Sequence, residues 1–477
     1  MVLLVYGAAA LPSLVTALYH HETGVLVPLA AAAFLCIVTG GSLRQFLDLE
    51  ASGVRPRINY MTVIISWLVI TAVTTAVYFS SPAGLTVTDS LFEAVANLTT
   101  TGTGRLGADL SLYSLMLWRS TLNWLGGVGI ILISYSCISS CNFSGRSLVS
   151  IEFPGHAFLN SSSRSQKTYR LIIMIYAVLT ALHFAMLIIA GMPAFTSLLT
   201  ALSNISTAGL QHINSGIITG LSLPLRIIIT VFAFLGSLNV SFFILLVTHR
   251  MYMLRRRSEV KTYSARILTT SLIIGISVAF VTHRPLLSSL GDALMQTVSF
   301  LSTSGYIAAD CSDWPLFCMV LIVLQVFFGA CAASTGGGIK NARLEIGIRT
   351  VNSGLFRSVH PRAYMPVKYN RTALKTDQLV QSNLFIALFM LIYVLAALLL
   401  SLDNKNESIL DALIYSQAMI TNTGMPVGAV STVGQAASFS PLSKIVMSGE
   451  MLCGRLEIYP VLMLISRSFW RSDNSRV

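Results

Sequence analysis

What this sequence has least of is charge. Only 19 of its 477 residues are acidic, and charged residues of both signs make up 10%, against about 25% in soluble domains. That excludes an ordinary soluble globular protein. It also removes the raw material of a membrane-embedded enzyme, which needs clustered carboxylates or histidines; no dyad, triad or metal cage is discernible. The seven cysteines are scattered. Cys36, Cys331 and Cys453 fall within apolar runs, and the Cys137–Cys141 spacing lies near a span end, so they read as small buried hydrophobes rather than metal ligands or a disulfide framework. The histidines form no ligand spacing beyond the adjacent His20–His21. A cleavable signal-peptide pattern, a low-complexity linker and a nucleotide-binding domain are all missing from the reading.

Apolar runs are what is present. The chain is 54% hydrophobic with a mean hydropathy of +0.73, which makes it a polytopic membrane protein. Crossing the hydrocarbon core takes about 20 residues. On that measure the sequence predicts ten crossing segments. Two lead the chain, Met1 to about Tyr19 and Val25 to about Gly40, and the others run over about 60–80, 112–135, 168–190, 222–247, 266–283, 315–348, 379–401 and 442–466. The net charge of +12 could suggest nucleic acid, but most Lys and Arg sit in short connecting loops: 44–57, 146–170, 250–266 with Arg255-Arg256-Arg257, 340–375, and the tail. Basic loops stay on the cytoplasmic side. Both termini are then expected inside and the opposite loops outside.

Between paired spans lies a recurrent pattern. Asp89, Thr196, Asp292 and Asp411 each stand thirteen residues before a glycine: Gly102, Gly209, Gly305 and Gly424. A Thr/Ser/Asn-rich stretch precedes every one of these: Thr100-Thr101, Thr207-Ala208, Thr303-Ser304 and Asn422-Thr423. Unrelated extracellular turns have no reason to keep that spacing, so it marks an internal repeat. Each copy predicts a short helix capped by that Asp or Thr, about ten residues and roughly 15 Å long, ending in a glycine loop at membrane depth. Irregular backbone is tolerated there only inside protein or along a watery cavity. Glycine lets carbonyls turn toward a common axis, and rings of carbonyls replace the hydration shell of a cation. The fold expected is therefore all-α and polytopic. Two leading helices (1–57) precede four membrane–pore helix–membrane repeats (58–145, 146–258, 259–375 and 376–477) around a pseudo-fourfold pore.

Two further stretches carry chemistry. Gly329 to Lys340 reads GACAASTGGGIK. It is not a phosphate-binding loop, since Ile339 separates Gly338 from Lys340 and Asn341 follows where that motif needs Ser or Thr after a strand. It reads either as a flexible kink or as a mobile intramembrane gate built on Gly336, Gly337, Gly338 and Lys340. In the last span, Arg455 is an ionisable group at membrane depth, a functional candidate by default. It either pairs with Glu457 or snorkels to the interface, or it stands in the cavity below the loops, where it repels cations or holds the gate by bonding its carbonyls. Arg119 and Trp124-Leu125-Gly126-Gly127 read as helix packing.

These motifs together resemble the Trk/Ktr/HKT superfamily of potassium transporters, most nearly the bacterial TrkH type. The likeness rests on the four glycine loops, CAASTGGGIK (331–340), GRLE (454–457), SFWR (468–471), WLGGVGII (124–131), SFLSTSGYIAADCSDWP (299–315) and VHPRAYMPVK (359–368), and so covers nearly the whole chain. It implies potassium uptake across a bacterial inner membrane. The potassium-binding filter would be Thr100, Thr101, Gly102, Thr207, Ala208, Gly209, Thr303, Ser304, Gly305, Asn422, Thr423 and Gly424, with the gate at Gly336–Gly338, Lys340 and Arg455. It further implies a homodimer in membrane lipid and a TrkA-like cytosolic subunit. A nucleotide (NAD or ATP/ADP) would act only through that subunit. Potassium is substrate, no covalent cofactor is implied, and no nucleic acid partner. The second loop (Thr207-Ala208-Gly209-Leu210) and the fourth (Asn422-Thr423-Gly424-Met425-Pro426) depart from the family pattern. A sodium-permeable or weakly selective transporter of the same fold is the alternative. Glycine in all four loops favours potassium, because serine at the first accompanies sodium transport in plant relatives.

Overall fold

The structure is a computed structural model, described here for residues 2–46, 56–104, 112–140, 162–210, 212–213, 216–249, 258–362, 365–370, 372–403, 409–426 and 439–465. The Arg255-Arg256-Arg257 run, most of the 146–170 loop, Cys141, SFWR and the basic tail lie outside the described residues. Apart from one short hairpin, Lys368–Tyr369 paired with Thr372–Ala373, the named elements are helices.

Among the described residues, seven helices are long and apolar enough to cross a membrane: Val2–Tyr19, Thr23–Gln45, Met61–Ser80, Tyr113–Leu132, Lys167–Ile189, Glu259–Thr282 and Thr376–Leu400. The shortfall from ten has one cause. The second spans predicted for the last three repeats are broken. Leu223–Ser237 and Val240–Val247 meet at 91°, with Asn239 capping the second piece by accepting from the Ser241 N–H at 2.9 Å. Leu316–Val326 gives way to irregular backbone before Asn341–Val359. Pro441–Arg455 ends before Tyr459–Ile465, with Glu457 and Ile458 at φ of 59° and 33° and Pro460 unable to extend a helix backwards. Only Tyr113–Ser140 runs on unbroken.

Four short helices sit between the spans: Val87–Leu98, Ala194–Ile205, Leu286–Leu301 and Ile409–Ile420. Their starts correct the sequence reading. The four repeat-marking residues do not cap. Thr86 caps the first helix, and Asp89 completes a capping box from inside the first turn. Pro193 and Pro285 precede the second and third, which places Thr196 in a first turn and Asp292 mid-helix, paired with Arg226 at 2.9 Å. Asp411 lies in the first turn of the fourth.

Packing is cyclic. Each first span packs along its own short helix, while Tyr113–Ser140 reaches the second short helix, Leu223–Ser237 the third, and Pro441–Arg455 returns to the first. Gln417 of the fourth donates to the Val323 carbonyl at 2.6 Å. The returning contact carries a buried ion pair, Lys444 Nζ to Asp89 Oδ1 at 2.5 Å. Close approach needs glycine at Gly126, Gly236 and Gly454, where a Cβ would crowd the last carbonyls of short helices at Leu98, Ile205 and Ile420. Thr376–Leu400 buries 28% of its crossing window and Tyr113–Leu132 67%, which separates outer from inner walls. Outer helices expose Phe34, Leu272 and Leu395, an apolar surface suited to lipid tails.

Candidate functional site

Every short helix ends the same way. Thr100, Thr207, Thr303 and Asn422 have φ of 54°, 55°, 61° and 54°, and the glycine two places on has φ of 67°, 77°, 66° and 75°. The left-handed residue donates three places back, and the next residue five back: Thr100 to Asn97 and Thr101 to Ala96 in the first loop, Asn422 to Met419 and Thr423 to Ala418 in the fourth. This is a Schellman ending. Left-handed backbone is unusual for β-branched threonine and costs of order 1–3 kcal/mol per residue, a strain that collects at functional sites.

The loops touch one another in order. A Cβ on Gly102 would fall on the Ala208 carbonyl oxygen, and one on Gly209 would lie 2.9 Å from the Ser304 carbonyl oxygen. On Gly305 it would strike the Thr423 carbonyl, and on Gly424 the Thr101 carbonyl. First to second, second to third, third to fourth, fourth to first: the contacts close a ring. The residues Thr101, Ala208, Ser304 and Thr423, each just before its glycine, supply the carbonyls. Asn422 Nδ2 adds a bond to Thr101 Oγ1 at 3.0 Å across the fourth and first loops. Nine of the twelve loop residues expected to bind the ion take part in these contacts.

The glycine-rich segment lies against this ring. Thr335 Oγ1 donates to the Ile205 and Gly236 carbonyls at 3.1 and 2.9 Å. The Gly337 N–H donates to Thr303 Oγ1 at 2.8 Å, and Thr207 Oγ1 to the Thr335 carbonyl at 3.0 Å. Lys340 Nζ folds back onto the Gly336 carbonyl. Glu259 accepts from the Ala332 N–H at 2.6 Å and from Asn239 Nδ2 at 3.1 Å, stitching the segment to the bend in the second repeat. Arg455 is 2% exposed and donates to the Thr335 and Gly126 carbonyls at 2.5 and 3.2 Å. Its suspected partner Glu457 pairs instead with Arg343 at 2.6 Å. Arg455 is thus bonded to the glycine-rich segment and not to Glu457. One cavity is lined by Gly336–Gly338, Lys340, Gly454 and Arg455.

Sequence reasoning missed a buried network behind the first loop. Glu93 is fully buried; Arg119 Nε lies 3.0 Å from its Oε1 and donates to Asn97 Oδ1 at 3.2 Å. Asn97 Nδ2 reaches Tyr78 Oη at 3.0 Å and Glu93 Oε1 at 3.1 Å. The Glu93 carboxylate sits where a side chain on Gly104 would be. Arg119 thus does more than pack a helix. The available signal was the rarity of ionisable residues in apolar segments. On the exposed stretch after the third loop, Asp310 accepts from the backbone N–H and hydroxyl of Ser312 at 3.0 and 2.8 Å. The backbone bond first, then the hydroxyl, hold its carboxyl below the usual range. Among the described residues no cluster of His, Cys, Asp and Glu could hold a resident metal.

Comparison with known proteins gives the family and the fold. Residues 28–474 match the family described as "TrkH: Cation transport protein", a family of transporters rather than enzymes. The chain is 29% identical to the Trk system potassium uptake protein TrkH of Salmonella typhimurium, covering 99% of this chain and 97% of that one. It is 26% identical to TrkG of Escherichia coli, over 98% and 96%. Among solved structures it is similar to the potassium transporter TrkH from Vibrio parahaemolyticus, with a TM-score of 0.85 and 25% identity over 98% of this chain and 97% of that one.

Proposed function

The chain belongs to the TrkH family of cation transport proteins, and from that premise we propose that it takes up potassium across a bacterial inner membrane through a filter of four non-identical walls. The observation that carries the reading is the ring of glycine-to-carbonyl contacts between successive loops. Backbone carbonyls at Thr101, Ala208, Ser304 and Thr423 would replace the ion's hydration shell. Four helix C-termini would add negative dipole ends. Potassium then enters down its gradient, helped by an inside-negative potential worth about 2.3 kcal/mol per charge per 100 mV. The segment around Gly336–Gly338, held by Arg455 and Lys340, is the gate. The basic loops face the cytoplasm with both termini, and there a nucleotide-binding subunit of the TrkA kind controls opening of a homodimer. A second, weakly selective reading draws on Ala208, which puts a methyl where the other three loops carry a hydroxyl.

The test is rubidium and sodium uptake into proteoliposomes holding the purified chain. Rubidium uptake blocked by potassium, with little sodium entry, is expected. Equal entry of both ions would establish the weakly selective reading. Absence of flux even after a regulatory subunit is added would refute the transport proposal.

A further inference from the structure

The Arg455 guanidinium is almost completely buried, yet the oxygens it meets are neutral. Nη1 and Nη2 donate to the Thr335 and Gly126 carbonyls, and Nε has no partner among the described residues. Glu457, the carboxylate nearest in sequence, is bonded to Arg343 instead. A guanidinium keeps its charge in proteins, and a buried charge is ordinarily met by an opposite one. Arg455 lines a cavity whose other walls include Ile130, Ala333 and Phe385. Apolar walls of this kind strengthen every electrostatic effect inside.

The same cavity gathers further positive potential. Its ionisable lining is Lys340, Arg455 and Glu457: two cations, and one carboxylate that already serves a third. The helix Asn341–Val359 also begins here, with Lys340 as its N-cap residue. No side chain caps that helix, and its first turn holds no acidic residue. The positive end of its dipole therefore adds to the two cations, and helix starts of this kind favour anions. The cavity has room for a water-sized guest and none for a nucleotide or a phosphate ester.

We propose that this cavity is a chloride site, in which one small monovalent anion beside Arg455 Nε compensates the guanidinium while it holds the glycine-rich segment. Gly336–Gly338 form one side of the site and Arg455 the other. The site is therefore complete only while the two are in contact. Anion binding and that contact stabilise each other, and linkage makes the effect reciprocal. One consequence rests on the gate reading above: chloride favours closure.

Unfolding midpoints of the purified chain in detergent, in sodium chloride against sodium gluconate at equal ionic strength, test the site without calling on flux. The parent should gain a few degrees in chloride, and the gain should saturate as one site fills. Arg455→Gln should lose that gain. So should Ile130→Phe, which fills the cavity with every charge in place and decides the matter should Arg455→Gln fail to fold. Crystals soaked in bromide should show an anomalous peak beside Arg455 Nε. Equal midpoints in the two salts, a chloride gain retained in a folded variant, or bromide only outside the cavity would overturn the proposal. Initial rubidium uptake into proteoliposomes tests the consequence. It should be severalfold slower in chloride than in gluconate for the parent, and equal in the two for Ile130→Phe. A chloride gain in the midpoint with no effect on uptake would keep the site and count against the gate reading.

Discussion

Single residues set the ring's tolerance. At Gly102 the backbone is left-handed and the Ala208 carbonyl occupies the place of a side chain. Gly102→Ser therefore has to displace a ring carbonyl. A strain of about 1–3 kcal/mol corresponds to roughly 5- to 160-fold in an equilibrium ratio. The expected result is a raised sodium-to-rubidium uptake ratio with rubidium flux retained; an unchanged ratio would remove the first loop from the filter. Glu93 gives a second residue-scale prediction. Breaking a buried pair by removing one partner costs about 3–5 kcal/mol, since the other charge stays uncompensated. Glu93→Gln should lower the thermal unfolding midpoint in detergent, with Arg119→Gln in the same background recovering part of the loss. A midpoint unmoved by Glu93→Gln would mean that Arg119 is satisfied elsewhere.

Elements show what was legible in the sequence and what was not. The glycine loops could be read because spacing and composition are both local. A left-handed turn after a short helix calls for Gly, and the four turns stand at one distance from their marker residues. The breaks in the inner spans could not be read the same way. Between Ser237 and Val240 the apolar run hardly pauses, and the 91° bend depends on Asn239 and on Glu259, which meet only after folding. The start of the third short helix was misplaced because Pro285, rather than Asp292, begins it. Glu93 and Arg119 meet across two elements, which no periodicity reports. The broken third inner span also yields a prediction. Deleting Gly336–Gly338 removes the amide that bonds Thr303 and the carbonyl that Lys340 holds. Uptake should rise severalfold in protein that still elutes as a single species. An unchanged rate in such protein would make the segment a structural kink.

For the whole molecule, the cyclic order of contacts says how the chain closes. Pro441–Arg455 lies against Val87–Leu98, and the Lys444–Asp89 pair joins the two ends of the repeat series. On the proposed filter, a closed unit of this kind holds one conduction path without help from a second copy. If two copies associate as proposed, each should conduct alone. Light scattering of the purified protein should give twice the chain mass of 51.6 kDa. Co-reconstituting active chains with chains carrying a bulky residue at Gly305 should lower uptake in proportion to the active fraction; a steeper, quadratic loss would place the path between the copies. Encoding the ring in one polypeptide has a further consequence. In a ring of identical subunits a single codon change strikes every wall simultaneously, and the gradation between full function and none is coarse. On the proposed filter, a codon change here reaches one wall in four, so ion preference can change in small steps.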